Sequence, residues 1–119
     1  MSGVVAYLDD IFFQAKILET AKQLGIELNI CATPEAFATR IASAKPDRLI
    51  VDLNARVNPF DVIARAKSDV PDVPIVGFLS HVETELAERA RAAGCDEVMP
   101  RSKFTRDLAT ILAGAKSHS

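Results

Sequence analysis

The sequence predicts a doubly wound α/β fold, in which helices cover both faces of a five-stranded parallel sheet of strand order 2-1-3-4-5. Two observations support this fold class. Short apolar runs of strand length alternate with longer segments whose apolar residues recur at helical spacing. The connections between them are short, which favours right-handed crossovers between parallel strands. A third observation, acidic residues at the ends of the first and third apolar runs, indicates where a site would lie.

Length, composition and charge limit the class of protein. The chain has 119 residues, and we expect a single domain over residues 1–119 with a core that needs no metal or disulfide. Hydrophobic residues are 49%, charged residues 25%, and the formal net charge is −2, so nothing electrostatic favours nucleic acid or an anionic membrane as partner. No apolar run approaches the roughly 20 residues of a membrane span, and the start lacks a signal-peptide pattern. Cys31 and Cys95 lack metal-ligand spacing, which predicts buried free thiols and a cytoplasmic location.

The first two strand–helix units have clear boundaries. Strands are predicted at residues 3–8 and 26–32, and the first helix, over 11–24, stops at Gly25. The second helix begins with Thr33-Pro34-Glu35, a capping residue followed by proline and an acid. The predicted apolar stripes are Ile11, Ala15, Leu18, Ala21 and Leu24 in the first helix, and Phe37, Ile41 and Ala44 in the second.

Three further units complete the alternation. Strands are predicted at residues 48–52, 74–79 and 96–99. The third helix begins at Asn58-Pro59, the fourth spans 82–93 and stops at Gly94, and Ser102 or Thr105 caps the last. Residues 116–119 are expected to form a frayed tail. The predicted stripes are Phe60, Ile63 and Ala66, then Leu86, Ala90 and Ala93, then Leu108, Ile111, Leu112 and Ala115.

Three acidic residues are predicted to meet at one edge of this sheet. Asp9 and Asp10 end the first strand, and Asp52 ends the third. Strands one and three are neighbours at the switch point of a 2-1-3-4-5 sheet, so their carboxylates should lie within a few ångströms of one another. Like charges at that distance are costly unless a cation neutralises them, and hard oxygen ligands suit Mg²⁺. The sequence therefore predicts a magnesium site at this edge.

The chain resembles the receiver domains of two-component response regulators, in particular the stand-alone CheY-like type with its flavodoxin-like sheet. The resemblance extends from Val4 to about Ala113. The matching features are Leu8-Asp9-Asp10, Leu49-Ile50-Val51-Asp52 with Asn54, Val73-Pro74-Ile75, and Ala93-Gly94-Cys95-Asp96-Glu97.

The resemblance implies a role for each matching residue. Asp52 corresponds to the phosphoryl acceptor, Asp9 and Asp10 to the acids that hold Mg²⁺ together with it, and the backbone carbonyl of Asn54 to a further ligand. The implied chemistry is transfer of a phosphoryl group from a phosphohistidine, on a histidine kinase or phosphotransfer protein, to the Asp52 carboxylate. On this interpretation the protein is not an enzyme, and its output passes to a downstream protein target.

Three positions depart from the family pattern. Leu79 stands where the family has a hydroxyl residue at the end of strand four; Ser80 is one residue late, and we expect it to substitute only if the strand bulges. Arg101 takes the place of the usual lysine, and its larger planar fork is not equivalent to an ammonium group. Lys103 is a less favoured substitute. Val98 stands at the aromatic switch position, so the usual hydroxyl–aromatic coupling is missing.

Other residues near the site have simpler expected roles. His81 is expected to be a solvated loop histidine more readily than a phosphoryl contact. Met99 and Phe104 are predicted to belong to the core. The charged residues of the fourth helix are expected to be solvated, or to join strand five and helix five in a homodimer surface of the kind that receivers use. These charged residues are Glu83, Glu85, Glu88, Arg89 and Arg91.

Three functions remain open from the sequence. The first is a phosphorylatable response regulator without an output domain, which shifts between two conformations. The second is a pseudo-receiver, which uses the same fold as a constitutive binding or dimerisation module. The third is an enzyme on a similar α/β fold, such as a haloacid-dehalogenase-type phosphatase. The adjacent pair Asp9-Asp10 argues against that phosphatase, whose acids stand two apart, and the chain has no glycine-rich phosphate loop.

Overall fold

The computed structural model of the chain describes residues 3–80 and 83–114. Its sheet has five strands, all parallel, in the order β2-β1-β3-β4-β5. The predicted fold class and strand order are therefore confirmed. The strands are β1 (Val4–Tyr7), β2 (Leu28–Cys31), β3 (Arg48–Asp52), β4 (Ile75–Leu79) and β5 (Glu97–Pro100).

Helices follow each strand, and the last predicted helix is divided in two. The helices are α1 (Ile11–Leu24), α2 (Pro34–Ser43), α3 (Pro59–Asp69), α4 (Thr84–Ala93), α5 (Arg101–Arg106) and α6 (Leu108–Gly114). The predicted cap at Ser102 or Thr105 is wrong, because α5 begins at Arg101, directly after Pro100 at the cap position, where no side chain makes a cap bond. Three predicted features lie outside the described residues: the start of the fourth helix at residue 82, the stripe residue Ala115, and the C-terminal tail.

The sheet separates two layers of core. On one face, α1, α5 and α6 pack against alternate residues of the central strands, such as Ile50 and Phe78. On the other face, α2, α3 and α4 pack against Leu49, Val51 and Leu79. The central strands are thus covered on both sides, as expected for unbroken apolar runs in a parallel sheet.

The buried face of α1 matches the predicted stripe at Ala21 and, in part, at Leu24, and differs from it over the first turns. Phe13, Ile17 and Ala21 are buried against the sheet, whereas Ile11 is 68% exposed and Leu18 is 45% exposed. Ala15 is also exposed, while Leu24 is half-buried. Both sets recur at helical spacing, so periodicity alone did not distinguish them. The set that begins with Phe13 contacts the sheet, because burying it removes more apolar surface from water than burying the set that begins with Ile11.

Ala44, predicted for the stripe of the second helix, is exposed at the C-cap of α2, whereas the predictions for Met99, Phe104 and the two cysteines are confirmed. Met99 and Phe104 are buried, and Cys31 and Cys95 are buried free thiols. Burial raises the pKa of the Cys95 thiol to about 12. No helix in the described part of the chain is both long and apolar enough to cross a bilayer.

Helix ends follow the predicted signals at three of the four other predicted positions. The Thr33 hydroxyl accepts the Ala36 N–H at 3.1 Å and caps α2. Gly25 and Gly94 end α1 and α4 with φ of 70° and 128°, in the region that favours glycine. Asn58 stands at the N-cap position of α3, but its side chain makes no cap bond and its φ is 22°.

Candidate functional site

A surface cleft of about 510 Å³ lies at the carboxyl edge of the sheet. It brings together all the residues that the sequence proposed for the site, because β1 and β3 are neighbouring parallel strands that end at this edge. Its lining residues are Asp9, Asp10, Ile11, Asp52, Asn54, Arg56, Ser80 and Arg101.

Asp52 is the last residue of β3 and lies at the bottom of the cleft. It is only 3% exposed, and it is the one polar or charged residue among the buried residues described. Its Oδ1 accepts the Asn54 backbone N–H at 2.9 Å, and its Oδ2 lies 3.8 Å from Arg101 Nη2. Burial raises the pKa of the Asp52 carboxyl, and the Asn54 N–H and the Arg101 charge partly offset this. The Oδ2 oxygen is thus the one that faces the guanidinium.

The two acids after β1 each have a donor within the protein. Asp10 Oδ1 caps α1 by accepting the N–H groups of Phe12 and Phe13, at 3.0 and 3.2 Å. The Phe13 N–H bond is the main reason why the pKa of Asp10 is lowered. Asp9 Oδ2 accepts the backbone N–H of Arg56 at 3.0 Å, which ties the end of β1 to the loop after β3.

Arg101 points into the cleft from the start of α5. Its Nη1 lies 3.4 Å from Asp10 Oδ2, and its guanidinium carbon lies 4.5 Å from the ring centre of Phe13 and 5.6 Å from that of Phe78. Its Nε is buried and has no hydrogen-bond partner among the described residues. Lys103, the alternative cation, is instead paired with Asp107 at 2.9 Å. The cation facing Asp52 is therefore an arginine held against aromatic rings.

Ser80 lines the cleft without a bulge in β4. β4 pairs residue by residue with β3 as far as Phe78, and with β5 as far as its last residue, Leu79. Phe78 pairs with Asp52 and faces the same side of the sheet, so alternation directs Leu79 to the opposite core and brings Ser80 back to the cleft side. The bulge that we expected Ser80 to require is thus absent from this described strand.

The side chain of Asn54 has a role that the sequence did not reveal. Its Oδ1 accepts the Ser80 backbone N–H at 2.6 Å, and its Nδ2 donates to Glu83 Oε1 at 3.5 Å. The resemblance singled out only the backbone carbonyl of this residue. The sequence did show an amide side chain two residues after the aspartate that ends β3. The groups that this amide binds lie on another loop, so the sequence did not reveal them. His81, between these partners, lies outside the described residues.

The donor set fits a hard divalent cation in its chemistry, since three carboxylates and a backbone carbonyl surround one cleft. The arrangement of these donors is different from a preformed cage. Among residues 3–80 and 83–114, no group of three or more His, Cys, Asp or Glu side chains is placed to hold a metal ion. Two of the three carboxylates instead face the Arg101 guanidinium.

Comparisons with known proteins identify the fold. No family model matches the chain, and no curated protein sequence matches it. A response regulator from Hahella chejuensis superposes with a TM-score of 0.84 at 21% identity, covering 99% of each chain. Chemotaxis protein CheY4 of Vibrio cholerae gives 0.83 at 21% identity, covering 97% of this chain and 98% of its own.

Two receiver domains extend the comparison. The receiver domain of NtrX from Brucella abortus gives a TM-score of 0.82 at 16% identity, over 98% of this chain and 99% of its own. The receiver domain of the sensor histidine kinase PA1611 from Pseudomonas aeruginosa, with a magnesium ion coordinated in its active-site cleft, gives 0.79 at 15% identity, over 95% and 96%. The chain therefore has the CheY-like fold of response-regulator receiver domains.

Proposed function

We propose that this protein is a receiver in a two-component phosphorelay, and that the Asp52 carboxylate accepts a phosphoryl group from a phosphohistidine of a histidine kinase or phosphotransfer protein. One observation carries the proposal. A nearly buried aspartate ends β3 in a cleft that also holds two acids of the neighbouring strand and an inward-pointing guanidinium. Carboxylate nucleophiles and nearby cations are the groups that phosphoryl transfer requires.

The two oxygens of Asp52 have different partners. Oδ1 accepts the Asn54 N–H, and Oδ2 faces Arg101. In the proposed step an oxygen of the Asp52 carboxylate forms a bond to phosphorus while the phosphorus–nitrogen bond of the phosphohistidine breaks. The bonding electrons remain on the imidazole, which takes up a proton from solvent. The Arg101 guanidinium stabilises the oxygens of the transferring group.

Magnesium is part of the proposal. Asp9, Asp10, Asp52 and the backbone carbonyl of Asn54 would hold it, and it would neutralise charge on the transferring phosphoryl oxygens. The magnesium-bound receiver domain of PA1611, which has the same fold, supports this assignment. Because the phosphoryl group remains on Asp52, we propose a phosphorylated signalling protein of the cytoplasm and not an enzyme.

An exposed apolar surface beside the cleft supports a protein partner. Ile11 lines the cleft, Phe12 is 84% exposed at the start of α1, and Val57 is 45% exposed in the loop after β3. Large exposed apolar side chains next to a reactive group favour contact with another protein. We propose that the phosphodonor protein contacts this surface. A homodimer through α4, β5 and α5 remains a further proposal, to be tested by sedimentation with and without phosphorylation.

A second candidate is the pseudo-receiver. It is favoured by the placement of Arg101 against Asp10 and Asp52, which already neutralises part of the acidic site. Val98, at the usual switch position, packs against the core and offers no aromatic side chain to rearrange. In this second proposal the fold serves as a binding module, and its contacts do not depend on phosphorylation.

Phosphorylation with a small donor separates the two candidates. The protein is incubated with Mg²⁺ and acetyl phosphate, and intact mass is measured. We expect one added phosphoryl group in the native protein and none in Asp52→Asn. Asp61→Asn, an exposed aspartate in the first turn of α3, is the matched control and should be labelled normally. If the native protein stays unlabelled under conditions that label an ordinary receiver, the pseudo-receiver is the correct interpretation.

A further inference from the structure

We propose that Arg101 is a built-in counter-ion of the Asp10 and Asp52 carboxylates and competes with divalent cations for them. The inference rests on the magnesium site of the proposed function, but it does not depend on phosphoryl transfer.

The contested atoms are two specific oxygens. Asp10 uses Oδ1 to cap α1, and Asp52 uses Oδ1 to accept the Asn54 N–H. The second oxygen of each acid is the one that Arg101 faces, with Nη1 3.4 Å from Asp10 Oδ2 and Nη2 3.8 Å from Asp52 Oδ2. A metal ion that uses both acids through these oxygens must replace the guanidinium there.

Aromatic packing holds the guanidinium in this position. Its central carbon lies over the rings of Phe13 and Phe78, at 4.5 and 5.6 Å from their centres. Those rings contact each other edge-on at 5.3 Å, and Phe78 is stacked on Phe104 at 4.5 Å, so the surface beneath Arg101 is part of the core. A cation over aromatic rings is more often arginine than lysine, because the guanidinium is weakly hydrated and can lie against a ring face.

The placement of Arg101 in the chain also restricts it. Arg101 is the first residue of α5 and follows β5 directly, so its backbone is fixed by the sheet on one side and the helix on the other. Within residues 3–80 and 83–114, its buried Nε has no hydrogen-bond partner. The guanidinium is therefore held by its two carboxylates and two rings, and a cation that takes both carboxylates removes both of its ion-pair partners.

The test is a Mg²⁺ titration without any phosphodonor, followed by the chemical shifts of backbone amides near the cleft. Arg101→Gln removes the charge and keeps a planar polar end, and Arg101→Met removes the charge and keeps the chain length. Both variants should bind Mg²⁺ at least about tenfold more tightly than the native protein, since one competing cation is gone. Arg106→Gln, which removes the same charge from an exposed arginine of the same helix, should leave the Mg²⁺ affinity unchanged.

Two results would overturn the proposal: equal Mg²⁺ affinity in the Arg101 variants and Arg106→Gln, or no Mg²⁺ binding in any of these proteins. Using two neutral Arg101 variants guards against a folding defect in one of them, which the same spectra reveal. The proposed function fails separately. Suppose that Arg101→Gln binds Mg²⁺ more tightly but the native protein forms no phosphoryl adduct on Asp52. This result supports the competition by Arg101 and rejects the proposal that Asp52 accepts a phosphoryl group.

Discussion

The Asp52 carboxylate is both buried and charged, and its contacts offset the cost of burying the charge only in part. Its carboxylate receives one backbone N–H and faces one guanidinium at 3.8 Å, while Asp9 and Asp10 lie in the same cleft. Desolvation outweighs these favourable contacts, so the pKa of Asp52 is raised. A residue placed at this cost to the fold is more readily explained by function than by stability.

The raised pKa predicts how stability depends on pH. Between the ordinary value of 3.8 and the folded-state pKa of Asp52, the folded protein binds more protons than the unfolded protein. Ionised Asp52 therefore destabilises the fold at neutral pH, and this effect is lost as the pH falls through the folded-state pKa. We expect Asp52→Asn to unfold at higher urea concentration than the native protein at neutral pH, with a difference that shrinks on acidification.

Urea unfolding of the native protein and Asp52→Asn over a series of pH values measures this difference in stability. Asp61→Asn is the exposed control, for which no comparable difference is expected. A variant Asp52→Asn that is less stable than the native protein at neutral pH would contradict the prediction. So would a difference that grows as the pH is lowered.

Between elements, Asn54 joins the loop after β3 to the segment after β4. Its amide accepts the Ser80 N–H and donates to Glu83, just before α4 begins. The Asn54 backbone N–H also donates to Asp52 Oδ1, so the same residue contacts the Asp52 carboxylate. One residue therefore links Asp52, the segment after β4 and the residue that precedes α4.

Removal of this link should loosen the segment after β4. Asn54→Ala leaves the Ser80 N–H without its partner, and a hydrogen bond of this type contributes about 1 kcal/mol. We expect amide exchange at Ser80 to become about fivefold faster, as measured by NMR. Gln23→Ala, which removes an exposed amide on α1, is the control and should leave Ser80 unchanged. Unchanged exchange at Ser80 in Asn54→Ala would show that the link has no mechanical role.

The C-terminal glycines of α1 and α4 should differ in their tolerance of substitution. Both have positive φ, but a Cβ on Gly94 would lie 2.7 Å from Lys67 Cγ. Gly25→Ala should cost about 1 kcal/mol of unfolding free energy from its backbone conformation. Gly94→Ala should cost more, because Lys67 must also move. Thermal and urea unfolding of the two variants give the order directly, and equal stability would reject the steric part of the argument.

Across the whole molecule, the site and one layer of the core share the same residues. Phe13, Phe78 and Phe104 pack with one another on the α1 face of the sheet, and two of these rings support Arg101. The electrostatics of the cleft therefore depend on an aromatic cluster that also stabilises the fold.

This cluster predicts contrasting effects for two phenylalanines. Phe104 is fully buried, so Phe104→Ala should lower the free energy of unfolding by about 3–5 kcal/mol. Phe12 is 84% exposed, so Phe12→Ala should change it by less than about 0.5 kcal/mol. Urea unfolding of both variants tests this, and a large loss in Phe12→Ala would mean that the ring has a partner within the protein.

The strand-terminal acids and the alternation of elements were predictable, because each depends on residues close in sequence. The buried face of α1 was not, since Ile11 and Phe13 begin two stripes of equal periodicity and the sheet decides between them. The break between α5 and α6 at Asp107 was also not predicted, because apolar residues recur at helical spacing on both sides of it.

The sequence by itself determined the alternation of strands and helices and hence the parallel sheet, and the common doubly wound order 2-1-3-4-5 then placed Asp9, Asp10 and Asp52 at one edge. Only the tertiary structure decided how Arg101 and Asn54 are used. The contact of Arg101 with Asp10 spans 91 residues of chain, and that of Asn54 with Ser80 spans 26. Such contacts depend on how α5 and the segment after β4 pack over the sheet, which no local pattern encodes.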